Sequence, residues 1–291
     1  MSEIRKIKRK DLDLEKYSKT LSASLNYRVY AEYWYLDVVT KGNWECLVYG
    51  DYEVLMPIPF QRKFGFKFVL QPLCCQQLGV FYPKEISTEL FQKFESKLHQ
   101  YRVRSYHFNE ENAAKFNPKG ESKINQLLLL NRPYSEIYKG FKKGRKSDLS
   151  LAKKNSLMLK KEFSLSEIRT LFQLNDDKFI SEKNIEKLIN LLKIIQSNNK
   201  LIGYSIQNDQ KETIAICLLL DSKSRLIHLF SIRNKSHKQS GEITFILNEI
   251  FQNHCLSREY FDFEGSSLAG VNEFNRSFGA EENFFSIYQN I

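Results

Sequence analysis

Apolar positions are most legible in the second half of this 291-residue chain. Residues 157–163 read as a short strand, and Ser164 and Ser166 offer N-caps to a helix marked by Ile168, Leu171, Phe172 and Leu174. Ile185, Leu188, Ile189, Leu192 and Ile195 mark a second helix, which stops at Ser197-Asn198-Asn199. Three strands follow, at 201–207, 213–220 and 225–232, separated by short polar turns. A helix from about 241 to 255, a strand at 260–264, a helical stretch at 271–278 and a last strand near 284–288 complete the half.

The first half repeats that order. Strands are expected at 3–8, 45–49, 53–59, 66–80, 103–108 and 123–130, and helices at 14–21, 29–39 and 88–98. The helices at 88–98 and 242–252 lie roughly 155 residues apart, one domain's length. Both halves thus read β-α-α-β-β-β-α-β, an α/β (α+β) class with a mixed sheet and helices on its faces. We place the first domain at 1–132 and the second at 133–291, with a basic linker helix over 134–156.

Charge sharpens this picture. Lys and Arg exceed Asp and Glu by 44 to 34, so the chain suits an anionic partner: a nucleotide cofactor, RNA or a membrane surface. Much of the excess is local, because residues 139–161 carry nine basic side chains against the single acidic Asp148. Such a run is commonly a solvated helix face, yet like charges at helical spacing oppose the helix they sit on, which weakens that reading and sets a polyanion-facing role level with it. The longest apolar stretch, 214–220, has seven residues, far short of the ~20 that span a bilayer. The charged N-terminus lacks the apolar core of a leader, and five cysteines without a Cys-x-x-Cys spacing read as reduced thiols. A cytoplasmic protein is expected.

Familiar catalytic signatures are missing. Gly140–Ser147 imitates a phosphate loop but is one residue short between its glycines and has Arg145 where Lys belongs. The five histidines, 99, 107, 228, 237 and 254, have no metal-ligand spacing, so they read as structural or surface residues and no metal is expected. The stretch that carries chemistry is Tyr260-Phe-Asp-Phe-Glu-Gly-Ser-Ser267. Strand alternation puts Phe261 and Phe263 on one face and Asp262 and Glu264 on the other, at the strand end where open α/β sheets bind ligands. Neighbouring carboxylates raise one another's pKa, which suits a proton acceptor for an amine. Anchoring of the next helix is the competing role, and it fits Asp262 better than Glu264.

Phe261-Asp-Phe-Glu-Gly-Ser266, with Gly270-Val271 and Phe274-Asn-Arg-Ser-Phe-Gly-Ala280, resembles the C-terminal signature of Fem-type (FemAB-like) acyltransferases, a tandem GNAT-fold family. Residues 146–157 are similar to the family's basic helix, with Lys146 at its usual Arg. The resemblance implies two tandem GNAT-like domains and transfer of an acyl or aminoacyl group to an amine. The acceptor would be a small-molecule or lipid-linked amine, such as a cell-wall or surface-polysaccharide precursor. Glu264 and Asp262 become the catalytic candidates.

A GNAT domain holds the acyl-CoA pyrophosphate between its fourth strand and the next helix, here Ser231, Ile232, Arg233, Lys238, Gln239, Ser240 and Gly241. Only one glycine stands there, and Glu242 adds a negative charge. Fem-type enzymes use aminoacyl-tRNA, for which residues 139–161 are the candidate contact. Arg276 and Lys146 are candidate substrate contacts. So is Gln76, in the polar stretch 71–79, which with Trp34, Tyr35 and Trp44 is a candidate lining for an acceptor cleft between the domains. Aromatics in such a position are more often core. The alternative to an enzyme is a GNAT scaffold that has lost catalysis and binds RNA or another polyanion. A peripheral protein on anionic lipid ranks last, since no amphipathic aromatic helix adjoins the basic run.

Overall fold

The structure is a computed structural model that describes residues 3–154, 157–175, 181–236, 241–265 and 268–291. In chain order it contains β1 (Ile4–Lys8), α1 (Leu14–Ala23), α2 (Tyr33–Thr40), β2 (Trp44–Tyr49), β3 (Val54–Lys63), β4 (Phe66–Leu70), α3 (Thr88–His99), β5 (Arg102–Phe108), α4 (Glu110–Phe116) and β6 (Glu121–Leu129). Then come α5 (Tyr134–Lys139), α6 (Lys143–Lys154), β7 (Met158–Lys160), α7 (Leu165–Leu174), α8 (Glu182–Ser197), β8 (Leu201–Gln207), β9 (Thr213–Ser222), β10 (Arg225–Arg233), α9 (Glu242–His254), β11 (Tyr260–Asp262), α10 (Ala269–Arg276) and β12 (Glu281–Tyr288).

The chain divides into two compact units, Met1–Ile124 with Asn283–Ile291, and Asn125–Glu282. The division falls inside β6 rather than at 132/133, and the end of the chain returns to the first unit. In the first unit the strands run β1-β2-β3-β4-β5-β12, and β4 with β5 is the parallel pair. In the second they run β6-β11-β10-β9-β8-β7, and β10 with β11 is the parallel pair. Each unit therefore repeats one plan, a mixed α/β sheet with a single parallel crossover through a helix, α3 in one and α9 in the other.

Local chemistry explains the elements. Ser164 accepts from the Glu167 N–H while Glu167 reaches back to the Ser164 N–H, a reciprocal cap that starts α7. Along α8, Ile185, Ile189, Leu192 and Ile195 form the buried stripe. The second unit's core is aromatic: Phe251 and Phe261 rings lie 5.0 Å apart, Phe261 and Phe263 4.7 Å, and Phe141 and Phe278 5.2 Å. Trp44 and Tyr35 are fully buried in the first unit, which makes them core there.

Several expected elements differ. The strand expected over 66–80 stops at Leu70, because Gln71 turns its side chain onto Cys75 and His107 instead of continuing a ladder. The helix expected at 29–39 is a 3-10 turn at Val29–Ala31 followed by α2. The basic linker helix is two helices, α5 and α6, with Gly140 as the C-cap of α5 where the chain packs on Gly279. Residues 155 and 156 lie outside the described residues. Helix α4, capped by Asn109, was not anticipated; seven residues with one buried turn give little periodic signal.

Candidate active site

In the second unit the ladder between β10 and β11 is short. Arg225, Leu226 and Ile227 pair with Tyr260, Phe261 and Asp262, and there the pairing ends. β10 continues from His228 to Arg233, still bonded to β9, with no strand laddered on its other edge among the described residues. A bulge between His228 and Phe230 interrupts the register with β9. Parallel strands that separate at their carboxyl ends leave a notch, the usual ligand position in such sheets.

The bulge sets the chemistry of the β10 wall. In a regular strand, residues three apart face opposite sides; one extra residue reverses that parity. His228 Nε2 and Ser231 Oγ consequently meet at 2.6 Å. The His228 ring also lies against Phe261 and Phe263 from the β11 side. Burial pushes the His228 pKa down to about 4, so the imidazole is neutral near pH 7. Beside it the Cys217 thiol is pushed up by burial to about 12, with Ser231 opposing the shift. It is no thiolate nucleophile. The sequence reads His228 as a structural or surface residue for want of metal-ligand spacing, and the bulge that brings it to Ser231 leaves no trace in residue spacing.

Across the notch, Asp262 is almost fully buried. Its Oδ1 accepts from Asn125 Nδ2 at 3.0 Å and from the Glu264 N–H at 2.9 Å, and its Oδ2 faces Arg225 Nη1 at 3.2 Å. These bonds tie the strand end to β6, to β10 and to the following turn, whereas the helix weighed as its partner, α10, has no side-chain cap among the described residues. Glu264 departs from the expected alternation. β11 ends at Asp262, and Glu264 takes a left-handed backbone (φ 59°) followed by Gly265 (φ 58°), so the two carboxylates do not share a strand face. Glu264 is half-buried at the turn that leaves the strand.

The helix α9 starts beside this notch. Gly241 is its N-cap with φ 99°, and a Cβ there would stand 2.9 Å from the Asp148 carbonyl oxygen of α6. Glycine is required both by the backbone and by that approach. Thr244 Oγ1 donates to Asp148 Oδ2 at 3.0 Å and accepts from Arg145 Nη1 at 3.0 Å, while Arg145 stacks on Phe274. The basic helix is thereby fastened across the first turn of α9, putting its positive charge next to a helix start. Asp148, the lone acidic residue of the basic run, is the clasp. Glu242, expected to oppose phosphate, is buried at the first helical position.

The remaining candidates are spread out. Ser231 and Ile232 lie on the unladdered part of β10, and Arg233 is exposed at its end with its carbonyl accepting from Asn175. Lys238, Gln239 and Ser240 lie outside the described residues. Lys146 sits on α6 with its ammonium over the Tyr138 ring, and Arg276 is exposed at the end of α10, 3.7 Å from Glu282. Gln76 belongs to the first unit, where its carbonyl meets His107 Nδ1 at 2.7 Å. Within the C-terminal signature, Phe278 is core and Gly279 (φ 88°) packs on Gly140, so those motif positions serve packing. Among the described residues no group of three or more His, Cys, Asp or Glu side chains is placed to hold a metal ion.

These two units define a tandem GNAT-like fold of the Fem type. FemX aligns over 98% of this chain and 98% of its own, with TM-score 0.66 at 9% identity. L-PGS from Bacillus licheniformis aligns over 95% and 92% with TM-score 0.57 at 12% identity, and a tandem GNAT protein from the clavulanic acid biosynthesis pathway over 99% and 98% with TM-score 0.52 at 9% identity. No protein-family model and no curated protein sequence matches the chain.

Proposed function

We propose that the chain is an N-acyltransferase whose working site is the notch between β10 and β11. The unladdered run of β10 carries this reading, since it offers backbone N–H groups beside a carboxylate and a helix start. The acyl carbonyl rests against the N–H groups near Ser231 and Ile232, which polarise it. The acceptor amine attacks the carbonyl carbon, its proton passes to Glu264 directly or through water, and the donor's thiolate or ribose oxygen leaves. Neutral His228 holds the Ser231 hydroxyl. No covalent enzyme intermediate is required.

The donor is acyl-CoA or aminoacyl-tRNA, gripped by Lys238, Gln239, Ser240 and Gly241 at the start of α9, with Arg233 adding charge. The basic run 139–161, fastened beside that helix start, supports a large polyanionic donor. The acceptor class is an amine of a cell-wall or surface-polysaccharide precursor.

Calorimetric titration with CoA and acetyl-CoA at 150 mM salt is the first test. Micromolar binding weakened by Lys238→Ala supports the CoA donor; silence moves the donor to aminoacyl-tRNA. Glu264→Gln should lower turnover by about 10²-fold or more with donor affinity kept. Unchanged turnover removes Glu264 from the reaction. Binding of tRNA without any transfer would instead favour a scaffold that only binds polyanions.

A further inference from the structure

The β3–β4 hairpin of the first unit carries a feature that acyl transfer leaves unexplained. Lys63 pairs with Phe66, so the connecting loop is the two residues Phe64-Gly65. Both have positive φ, 51° and 77°, the backbone of a tight hairpin turn that favours Asn or Asp followed by Gly. A bulky residue in the left-handed region is a costly choice. Phe64 is nonetheless 84% exposed, the most exposed large apolar side chain among the described residues, and Phe66 is 52% exposed. A strained, solvent-facing phenylalanine at a hairpin tip opposes both turn chemistry and the hydrophobic effect, unless something apolar receives it.

The surroundings identify the receiver. Arg62, Lys63 and Lys67 flank the tip on the hairpin itself, and Arg102 and Arg104 of β5 stack on Phe66 and Phe68 at 3.9 and 4.9 Å. Behind the hairpin lies a cavity of about 460 Å³ lined by Ile4, Lys6, Glu45, Phe66, Lys67, Lys97, Tyr101 and Arg102, among others. Its one carboxylate, Glu45, is buried and already engaged by Lys67 at 2.5 Å and by the Tyr101 hydroxyl at 2.8 Å. Lys6, Lys97 and Arg102 have no acidic partner among the described residues. Exposed aromatics ringed by unpaired cations match the interface of a bilayer bearing anionic headgroups.

We propose that the first unit docks on an anionic membrane surface, with Phe64 and Phe66 in the interfacial layer and a lipid phosphate in the basic cavity. No helix among the described residues is long and apolar enough to cross a membrane, so this attachment is peripheral and reversible. The proposal stands apart from acyl transfer, since every residue it uses lies in the first unit and none lines the β10–β11 notch.

Co-sedimentation of the full chain with vesicles of phosphatidylcholine alone, and with 30% phosphatidylglycerol (about that fraction gives a strong surface charge), tests it. Binding only to the anionic vesicles, weakened about tenfold or more between ~50 and 300 mM salt, is expected. Phe64→Asn is the diagnostic variant, because Asn suits the turn: its thermal stability should hold or rise while vesicle binding falls about tenfold or more. Lys97→Ala with Arg102→Ala should weaken vesicle binding by a similar factor. Binding unaffected by Phe64→Asn, or equal binding to neutral vesicles, overturns the proposal. So does tight binding of free glycerol phosphate that competes with no vesicle, which would make the cavity a soluble-phosphate site. Failure here would leave the CoA titration and the Glu264 result unaffected.

Discussion

The same gap is treated in opposite ways by the two units. In the first, β4 ends at Leu70, and the chain then turns back into the space beside β5. The Leu78 N–H donates to the His107 carbonyl at 2.9 Å, the Asn109 N–H donates to the Leu78 carbonyl at 2.8 Å, and Gln71 Oε1 accepts from the His107 N–H. The stretch 71–80 thus plugs the first unit's notch with its own backbone, and Gln76 is part of the plug. In the second unit β10 runs on to Arg233, and the described residues ladder no strand onto the edge that β11 leaves. If the proposed site in the second unit is the working one, the first unit has no need of an open notch, and filling it from within adds packing there. The polar, cysteine-containing character of 71–79 follows from this, because a plug makes side-chain hydrogen bonds where a strand would bury apolar ones.

The largest predicted effect concerns the ion pairs that close each sheet end. Asp262→Ala removes a buried carboxylate engaged at once by Arg225, by Asn125 and by the Glu264 N–H, and should cost about 3–5 kcal/mol of stability in urea unfolding. Glu110→Ala should cost less, because Arg28 retains Glu111 at 2.6 Å. Equal losses would mean that the two ends are built alike after all.

Acidification should act on both units. His107 and His228 are each pushed down to about 4 by burial from a reference of 6.5. Between those values the unfolded chain binds more protons, so stability is intact above the unfolded pKa and falls as pH drops toward 4. The slope is at most about 1.4 kcal/mol per pH unit for each histidine. His107→Asn and His228→Asn should each remove one share of that slope. A slope untouched by either variant would place the acid sensitivity elsewhere.

Gly79→Ala tests the plug directly. Gly79 has φ 130°, and a Cβ would stand 2.2 Å from Asn112 Oδ1 and 2.9 Å from Asn109 Nδ2, so the first unit should lose about 1–3 kcal/mol. Donor affinity should not move. If it does, the plugged notch contributes to donor binding and the contrast between the units fails.

Much of this architecture was legible beforehand, and the failures are instructive. The strand at Leu201–Gln207 follows from its apolar run between polar turns, and the helix start at Leu165 from the Ser164 cap and the buried stripe behind it. The motif singles out Glu264 as a candidate but hides its left-handed backbone, since Phe-Asp-Phe-Glu reads as plain alternation until Gly265 breaks it. The contact of His228 with Ser231 is invisible in the sequence because a bulge changes which residues meet without changing composition. The clasp of Asp148, Thr244 and Arg145 was hidden by distance along the chain, as each residue alone looks like ordinary helix surface.

The smallest effect separates the two helix starts. In the first unit, Ser87 caps α3 by accepting from the Leu90 N–H at 3.2 Å, so one of the exposed donors is already satisfied by the chain. In the second, the N-cap of α9 is Gly241, which has no side chain to offer, and Asp148 stands where one would go. Ser87→Ala should therefore cost about 1 kcal/mol and leave donor binding unchanged. Gly241→Ser cannot supply the missing cap, because φ 99° and the Asp148 carbonyl both oppose a Cβ; it should destabilise the second unit and weaken donor binding together. If Gly241→Ser were instead stabilising, like an ordinary cap, the glycine would not be required by the approach of Asp148, and the start of α9 would lose its claim to an anionic donor.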